Sequence, residues 1–301
     1  MYNFLVHTIT FISMYSLLTL SLNLQYGFTG LVNFGMMLFF AIGAYSSAVV
    51  VFHGLPLWWI PFIAIGAGSL AALMVSLPAR RMSQDYWALI TFGAQEVFRL
   101  VMLNEDKIAG GSIGTMGIPR VITDPTLFML VVVFVLAVSY WVTERIRRSG
   151  FGRVLRTIRE DDVLAATMGR NVYGFQLRVM ILGAILAGFA GIAYAHYVTF
   201  INPEAFLPVE TFFIWTMLIL GGTGNNLGAI IGAVILQFLS ISTRFVAQYT
   251  GLPGEIVGNL RIIVFGLLLI VLILYRQQGI IPERRIIYKP TISEPKREMK
   301  A

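Results

Sequence analysis

The composition of this 301-residue chain excludes an ordinary soluble domain. Hydrophobic residues make up 57% of it and charged residues only 12%, whereas soluble domains carry about 25% charged residues. The chain has a net charge of +7 and no cysteine, so a disulfide framework and a thiolate metal site are both excluded.

Apolar runs long enough to cross a bilayer recur along the chain, since a helical crossing needs roughly 20 apolar residues. The sequence predicts an all-α, polytopic membrane bundle with about eight or nine crossings. The first run lacks the basic start and the cleavage site of a signal peptide, so we interpret it as a helix. The predicted spans are Phe4–Leu24, Leu31–Phe52, Leu55–Leu77, Tyr86–Leu103, Thr126–Val142, Val179–Phe200 and Ile256–Tyr275, with Val209–Leu220 and Leu227–Thr243 as shorter pieces bounded by glycine.

Basic residues are distributed unevenly among the predicted loops. Of the 22 Lys and Arg, two lie in the 78–85 loop, eight in the 143–178 loop and seven after residue 275. Because basic loops stay in the cytoplasm, we expect the N-terminus outside and the C-terminus inside a plasma or inner membrane. This topology accounts for the net charge, so no nucleic-acid partner is expected. Residues 1–280 are predicted to form one transmembrane domain. Residues 281–301 are predicted to be a cytoplasmic tail. Its stretch EPKREMK is predicted to be a solvated end, with contact to lipid headgroups as a second interpretation.

Two glycine-rich joints interrupt the apolar sequence, GFTG at 27–30 and GGTGNN at 221–226. Irregular backbone inside a membrane needs protein or a water-filled cavity to satisfy its polar groups. The joints therefore either border a substrate path or form tight turns at the cytoplasmic surface. In both, Thr-Gly is followed by Asn and then Gly, which hints at an internal repeat.

Polar residues inside spans are costly, so each needs a role. Glu96 and Arg99 are three residues apart on one helical face. They are predicted to form either an ion pair that locks the helix into the bundle or a polar lining of a path. The three histidines lack ligand spacing and are interpreted as interfacial. The candidate path or buried polar residues are Asn23, Asn33, Gln95, Glu96, Arg99 and Asn226.

Small residues recur at spacings of three and four in the later spans, as in GAILAGFAG at 183–191. Such residues let helices approach closely in lipid, where no hydrophobic force drives helices together. They predict close helix crossings, either within the chain or against a partner subunit.

Residues 153–170, RVLRTIREDDVLAATMGR, form the one strongly charged predicted helix, and charge counting places them in the cytoplasm. As a helix, they would put Val154, Ile158, Ala165 and Met168 on one side. Gly169 suits the end of a helix. The segment is a solvated connector, a helix lying on the membrane surface, or a helix that docks into another protein. The small contact residues and the acidic centre favour docking.

This segment and three others, SLNLQYGFTGLVNFG, DYWALITFGAQEVFRLVMLNEDKIAGGSIGTMGIP and LILGGTGNNLGAIIGAVIL, closely resemble permease subunits of ABC importers for branched-chain amino acids, of the LivM type. The resemblance covers most of residues 15–275. It implies transport of branched-chain or other apolar amino acids, with urea or short amides as the alternative cargo. It also implies a second related permease, two cytoplasmic ATPases that use ATP, an external solute-binding protein and surrounding lipid as partners.

The resemblance further implies that 153–170 is the coupling helix that contacts an ATPase. The chain departs from the general importer motif, because Val163 and Leu164 stand where that motif has glutamate and its first alanine. No cofactor is expected in this chain, and we expect no enzyme activity because no ATP-binding or hydrolytic motif is present. A secondary carrier or channel is the less favoured alternative, and an intramembrane enzyme is weaker still. The candidate ATPase contacts are Arg159, Glu160, Asp161, Asp162, Ala165, Ala166 and Gly169.

Overall fold

The computed structural model describes residues 2–79, 84–105, 110–250, 254–275 and 278–283. These residues are predominantly helical, which confirms the predicted all-α class. The only strands among them form a two-stranded antiparallel ribbon, β1 (Thr115–Met116) with β2 (Phe200–Ile201). The helices are α1 Tyr2–Leu22, α2 Met36–Phe52, α3 Ile60–Ala79, α4 Gln84–Asn104, α5 Pro125–Arg148, α6 Gly150–Glu160, α7 Asp162–Thr167, α8 Val172–Val198, α9 Pro208–Gly221, α10 Asn226–Thr250 and α11 Gly254–Tyr275.

Several of these helices have the length and composition of membrane spans. Among the described residues five do so outright, and three further apolar helices are shorter. The predicted Tyr86–Leu103 span is helical as α4, but α4 is neither among the five long apolar helices nor among the three shorter ones. The five long segments are Tyr2–Gly27, Leu57–Pro78, Pro125–Arg148, Val172–Val198 and Gly258–Tyr275, and the shorter ones are Met36–Phe52, Pro208–Gly221 and Asn226–Ser242.

The first joint differs from the predicted helix boundaries. After α1 the chain continues through a π-helical turn, Asn23–Gly27, and α2 begins only at Met36, five residues after the predicted start at Leu31. Just after the π-helical turn the Thr29 hydroxyl donates to the Gln25 carbonyl, and Gly30 follows with φ of 73°. The joint is therefore irregular backbone held by its own polar groups.

Helix α8 forms the centre of the bundle, where it packs against α1, α2 and α3. A Cβ added to Gly43 of α2 would lie 2.7 Å from the Gly188 Cα of α8. Gly221 of α9 and Gly228 of α10 approach each other in the same way. These glycines confirm that the small-residue spacing serves close helix crossings within the chain.

The bundle has two distinct ends. Helices α1 and α8 run antiparallel, because the His7 ring nitrogen Nδ1, near the start of α1, lies 2.9 Å from the Tyr197 hydroxyl, near the end of α8. The start of α1 and the end of α8 therefore lie at the same end of the bundle. We call this the ribbon end, because β2 follows α8 directly. The α6–α7 end is the opposite one, where α5 finishes, α6 and α7 lie, and α8 starts.

Candidate coupling site

The predicted charged helix 153–170 is two helices rather than one. Asp161 lies between α6 and α7 with an extended backbone, φ −159° and ψ 105°. Its carboxylate accepts a hydrogen bond of 2.8 Å from the Leu164 backbone N–H, which is the geometry of a helix N-cap. The prediction of a single helix was therefore wrong. An aspartate that satisfies a free N–H at a new helix start is more favourable there than inside a continuous helix.

The far end of α7 is closed by Gly169, as predicted. Gly169 has φ of 78°, and its N–H donates to the Ala166 carbonyl at 2.9 Å. The Arg170 N–H donates to the Ala165 carbonyl at 3.1 Å. This pair of bonds is the Schellman motif, which favours glycine at the left-handed position. Helix α7 is thus capped at both ends despite its six residues.

The break at Asp161 changes which residues are exposed. Ile158 and Ala165 are fully buried, as the predicted apolar stripe requires, but Met168 is 68% exposed. Helical periodicity does not continue through an extended residue, so α7 presents a different face from the one expected. Three large apolar side chains point away from the bundle on or beside α7, and we call them the α7 apolar face: Val163, Leu164 and Met168.

The remaining predicted contacts divide by exposure. Glu160, Asp161, Ala166 and Gly169 are exposed, and Asp162 is half-buried. Ala165 is buried against the bundle, so in this conformation it supports α7 rather than presenting a surface.

Arg159 is bonded within the chain. Its guanidinium donates to the Gly27 carbonyl of the first joint and to the Glu283 carboxylate at 2.7 Å. Arg156 lies 3.8 Å from the same carboxylate. Arg159 therefore connects α6 to the first joint and to residues after the last span. Glu283 was missed by the sequence prediction because no local pattern links it to a helix 124 residues away.

The segment 278–283 packs on the second joint. The N–H groups of Ile280 and Ile281 donate to the Leu220 and Gly221 carbonyls at 2.9 and 3.0 Å, so they satisfy free carbonyls at the end of α9. Residues 281 and 283, at the start of the predicted cytoplasmic tail, therefore contact the bundle. Residues 284–301 lie outside the described part of the chain.

The two glycine-rich joints meet in space at the α6–α7 end. The Asn23 side-chain amide donates to the Asn226 side-chain oxygen at 3.0 Å, and the Gly224 N–H donates to the Asn23 side-chain oxygen at 2.8 Å. Asn226 in turn donates to Glu144 at 3.1 Å. Both asparagines are buried. At this position the joints are well-satisfied buried turns.

Glu144 is a charged member of this cluster that the sequence prediction missed. Its carboxylate pairs with Arg147 at 2.5 Å and with Arg148 at 2.8 Å. The i,i+3 and i,i+4 spacing of these residues at the end of α5 was the available signal. The cluster ties α5 to the second joint through Asn226.

Asn33 and Gln95 are buried and bonded within the chain. The Asn33 amide donates to the Gln25 side chain at 2.7 Å, and the Trp215 indole donates to the Asn33 carbonyl at 3.0 Å. Gln95 accepts from the Thr211 hydroxyl at 2.9 Å. Gln25 was another omission of the sequence prediction. These bonds connect the first joint and α4 to α9.

Glu96 and Arg99 form the predicted ion pair, with 2.5 Å between the carboxylate and the guanidinium. Their side chains are 31% and 15% exposed. Arg99 and Gln95 also line a narrow cleft beside Tyr45 and Phe206. Within the described residues no group of three His, Asp or Glu is placed to hold a metal ion.

The sequence matches a protein-family model described as the branched-chain amino acid transport system / permease component over residues 4–273. The chain is 28% identical to the high-affinity branched-chain amino acid transport system permease protein LivM of Escherichia coli, an alignment that covers 93% of this chain and 70% of that one. It is also 28% identical to the probable branched-chain amino acid transport permease protein LivM of Methanocaldococcus jannaschii, covering 92% and 93%. The E. coli permease LivH is 26% identical, covering 76% and 81%. The chain therefore belongs to the permease-component family of branched-chain amino acid transport systems.

Proposed function

We propose that this chain is the permease subunit of an ABC importer and forms part of the translocation path for branched-chain or other apolar amino acids. The assignment of branched-chain amino acids as the cargo is supported by its relatives, which are named as branched-chain amino acid transport permeases. No G-x-x-x-x-G-K-S/T motif occurs in the sequence, so separate ATPase subunits supply the energy.

The observation that carries this proposal is the α7 apolar face. Val163, Leu164 and Met168 are 70%, 49% and 68% exposed on a short helix capped at both ends. Exposed Glu160 and Asp161 lie at its start. Apolar side chains surrounded by charged ones are typical of a protein interface. In this proposal an ATPase binds α7 through that face.

The way α7 is attached supports its role in energy transfer. Only residues 168–171 separate it from α8, whose first turn is capped by the Asn171 side chain through the Gly174 N–H at 3.0 Å. Helix α8 then contacts α1, α2 and α3. Movement of α7 by the ATPases would thus be passed to the centre of the bundle. ATP binding can shift the permease between inward-open and outward-open conformations only if the contacts between the ATPases and α7 differ in the two conformations.

The proposed topology places the α6–α7 end in the cytoplasm and the ribbon end outside, with the N-terminus outside and the C-terminus inside. Nine crossings result when the three shorter apolar helices and α4 are counted as spans with the five long ones, and an odd number puts the two termini on opposite sides. Residues 1–280 form the permease domain, with a cytoplasmic tail from 281 whose first residues dock on the second joint. The proposed partners are a related permease, two ATPases, an external solute-binding protein and lipid.

Co-purification tests the ATPase contact. We expect Leu164→Asp to lower the amount of ATPase recovered with the tagged subunit about tenfold or more, because it places a charge in an apolar interface. Met116→Asp adds the same charge to an exposed apolar residue at the ribbon end and should leave ATPase recovery unchanged. The related permease should be recovered with both variants. Recovery of the wild-type subunit alone, without ATPases, would contradict the proposal and favour a stand-alone carrier.

A further inference from the structure

A cavity of about 560 Å³ opens at the ribbon end, between the start of α1, residues 120–125 and the end of α8. Its volume is in the range of small-molecule sites. It lies at the opposite end of the bundle from α7, so the proposed topology places it on the external side of the membrane. Polar and apolar side chains of all three segments line it, among them His7, Phe11, Arg120, Ile122, Phe128 and His196.

The cavity has a cationic group and no acidic one. Arg120 is exposed, and no Asp or Glu belongs to the cavity lining. Within the described part of the chain, no carboxylate lies at ion-pair distance from Arg120. A guanidinium binds carboxylates through two parallel hydrogen bonds. Arg120 is therefore available to a carboxylate ligand.

His196 supplies the opposite kind of group. The side chain is 4% exposed, and its Nδ1 lies 2.8 Å from the Pro119 carbonyl oxygen. Because a carbonyl oxygen only accepts, Nδ1 holds the proton of the neutral ring and Nε2 has a lone pair. Nε2 is buried and has no hydrogen-bond partner among the described residues. An unsatisfied buried acceptor is costly, so it favours a ligand that brings a donor.

Aromatic and aliphatic side chains form an apolar wall of the cavity. The rings of Phe11 and Phe128 both lie 5.6 Å from the Tyr197 ring, measured between centroids. Ile122 packs in the same cluster as Phe128. Together they provide a surface for a branched aliphatic side chain, whose apolar area leaves water when it packs there.

We propose that this cavity binds an apolar amino acid as a zwitterion: the carboxylate on Arg120, the ammonium on His196 Nε2 and the side chain against Phe11, Ile122 and Phe128. The inference rests on the proposed function and deepens it, because it assigns an external substrate site to this subunit. Nε2 is covered in the present conformation, so binding includes a small side-chain movement that exposes it.

Photo-crosslinking of the purified assembly tests the site. The probe is photo-leucine, an L-leucine analogue with a diazirine in its side chain, used without the solute-binding protein. In the wild type we expect crosslinks within residues 3–11, 119–128 or 194–198, suppressed by excess L-leucine. Arg120→Gln and His196→Asn should each lower labelling about tenfold, because each removes one polar partner of the ligand. His196→Asn keeps a donor toward Pro119 but lacks Nε2. Arg178→Gln, an exposed residue near the other end of α8, is the matched control and should label normally.

Two competitors separate the roles of the polar groups. The carboxylate 4-methylpentanoate lacks the ammonium, so it should compete equally well in the wild type and in His196→Asn. The amine 3-methylbutylamine lacks the carboxylate, so it should compete equally well in the wild type and in Arg120→Gln. Unchanged photo-leucine labelling in both variants, or crosslinks confined to other segments, would overturn the site.

The outcome is separable from that of the proposed function. An assembly that retains its ATPases and takes up leucine, but does not label at this cavity, removes the site and leaves the importer proposal standing. A subunit purified without ATPases that still labels here removes the importer proposal and keeps an amino-acid site.

Discussion

At the scale of single residues, buried amides hold the irregular parts of the chain together. Asn23 donates to Asn226 and accepts from the Gly224 N–H, so one side chain satisfies polar groups of both joints. Such groups have no water to replace a lost partner inside a membrane bundle. The joints consequently depend on a small number of side chains.

Asn23→Ala should lower the free energy of unfolding by about 1–3 kcal/mol, because it leaves the Gly224 N–H and the Asn226 oxygen without a partner. Thermal unfolding in detergent measures the change. Asn104→Ala is the matched control, since Asn104 is exposed and bonds only its own helix through the Leu100 carbonyl; we expect less than about 0.5 kcal/mol there. Equal midpoints for the two variants would show that Asn23 does not secure the joints.

At the scale of helices, α6 and α7 act as a bent pair with fixed ends. The Asp161 cap starts α7, Gly169 closes it, and Arg159 fastens α6 to the first joint. Local capping sets the bend, whereas the bond of Arg159 to Glu283 depends on the path of the chain after α11. The pair is therefore connected to the bundle centre through α8 and to the first joint through Arg159. It reaches the second joint through the 278–283 segment.

Gly169→Ala should raise the free energy of the turn between α7 and α8 by about 1–2 kcal/mol, because a residue with a Cβ is disfavoured at φ of 78°. Apart from the adjacent backbone, a Cβ added at Gly169 or at Gly66 would have no atom within 4 Å, so neither substitution causes a clash. Gly66→Ala in α3 is therefore the control without a positive φ, and it should be neutral or stabilising. We expect Gly169→Ala to raise the ATP hydrolysed per leucine transported, measured in proteoliposomes. The same ratio in both variants would argue against a coupling role for this helix end.

At the scale of the whole molecule, the two ends of the bundle differ in chemistry. The α6–α7 end has the charged helices, the paired joints and the docked 278–283 segment, whereas the ribbon end has the cavity with Arg120 and His196. An importer needs a cytoplasmic surface for its ATPases and an external opening for substrate. The bundle offers a candidate for each at opposite ends.

Single-cysteine labelling tests this orientation, and the absence of native cysteine means that each introduced thiol reports alone. In right-side-out vesicles, a membrane-impermeant maleimide should label Val121→Cys, at an exposed ribbon-end position. It should label Arg153→Cys, at an exposed α6 position, only after permeabilisation. The reverse labelling pattern would invert the proposed topology.

Several features were predictable from the sequence because they depend on neighbouring residues. Apolar runs predicted the helices, since backbone groups in lipid must be satisfied within the segment that crosses it. Local spacing also predicted the Glu96–Arg99 pair and the Gly169 cap. The break at Asp161 was in principle predictable too, because an aspartate before a short apolar run is an N-cap signal.

Other features were decided only by the tertiary structure, because they join residues that are distant in the chain. Asn23 and Asn226 are 203 residues apart, and Arg159 and Glu283 are 124 apart. The ribbon-end cavity likewise brings His7 together with Arg120 and His196. The sequence by itself determined that this chain forms membrane helices and where most of them lie. Which polar side chains satisfy one another followed from the packing of those helices, because hydrogen bonds require contact in space and no local periodicity encodes it.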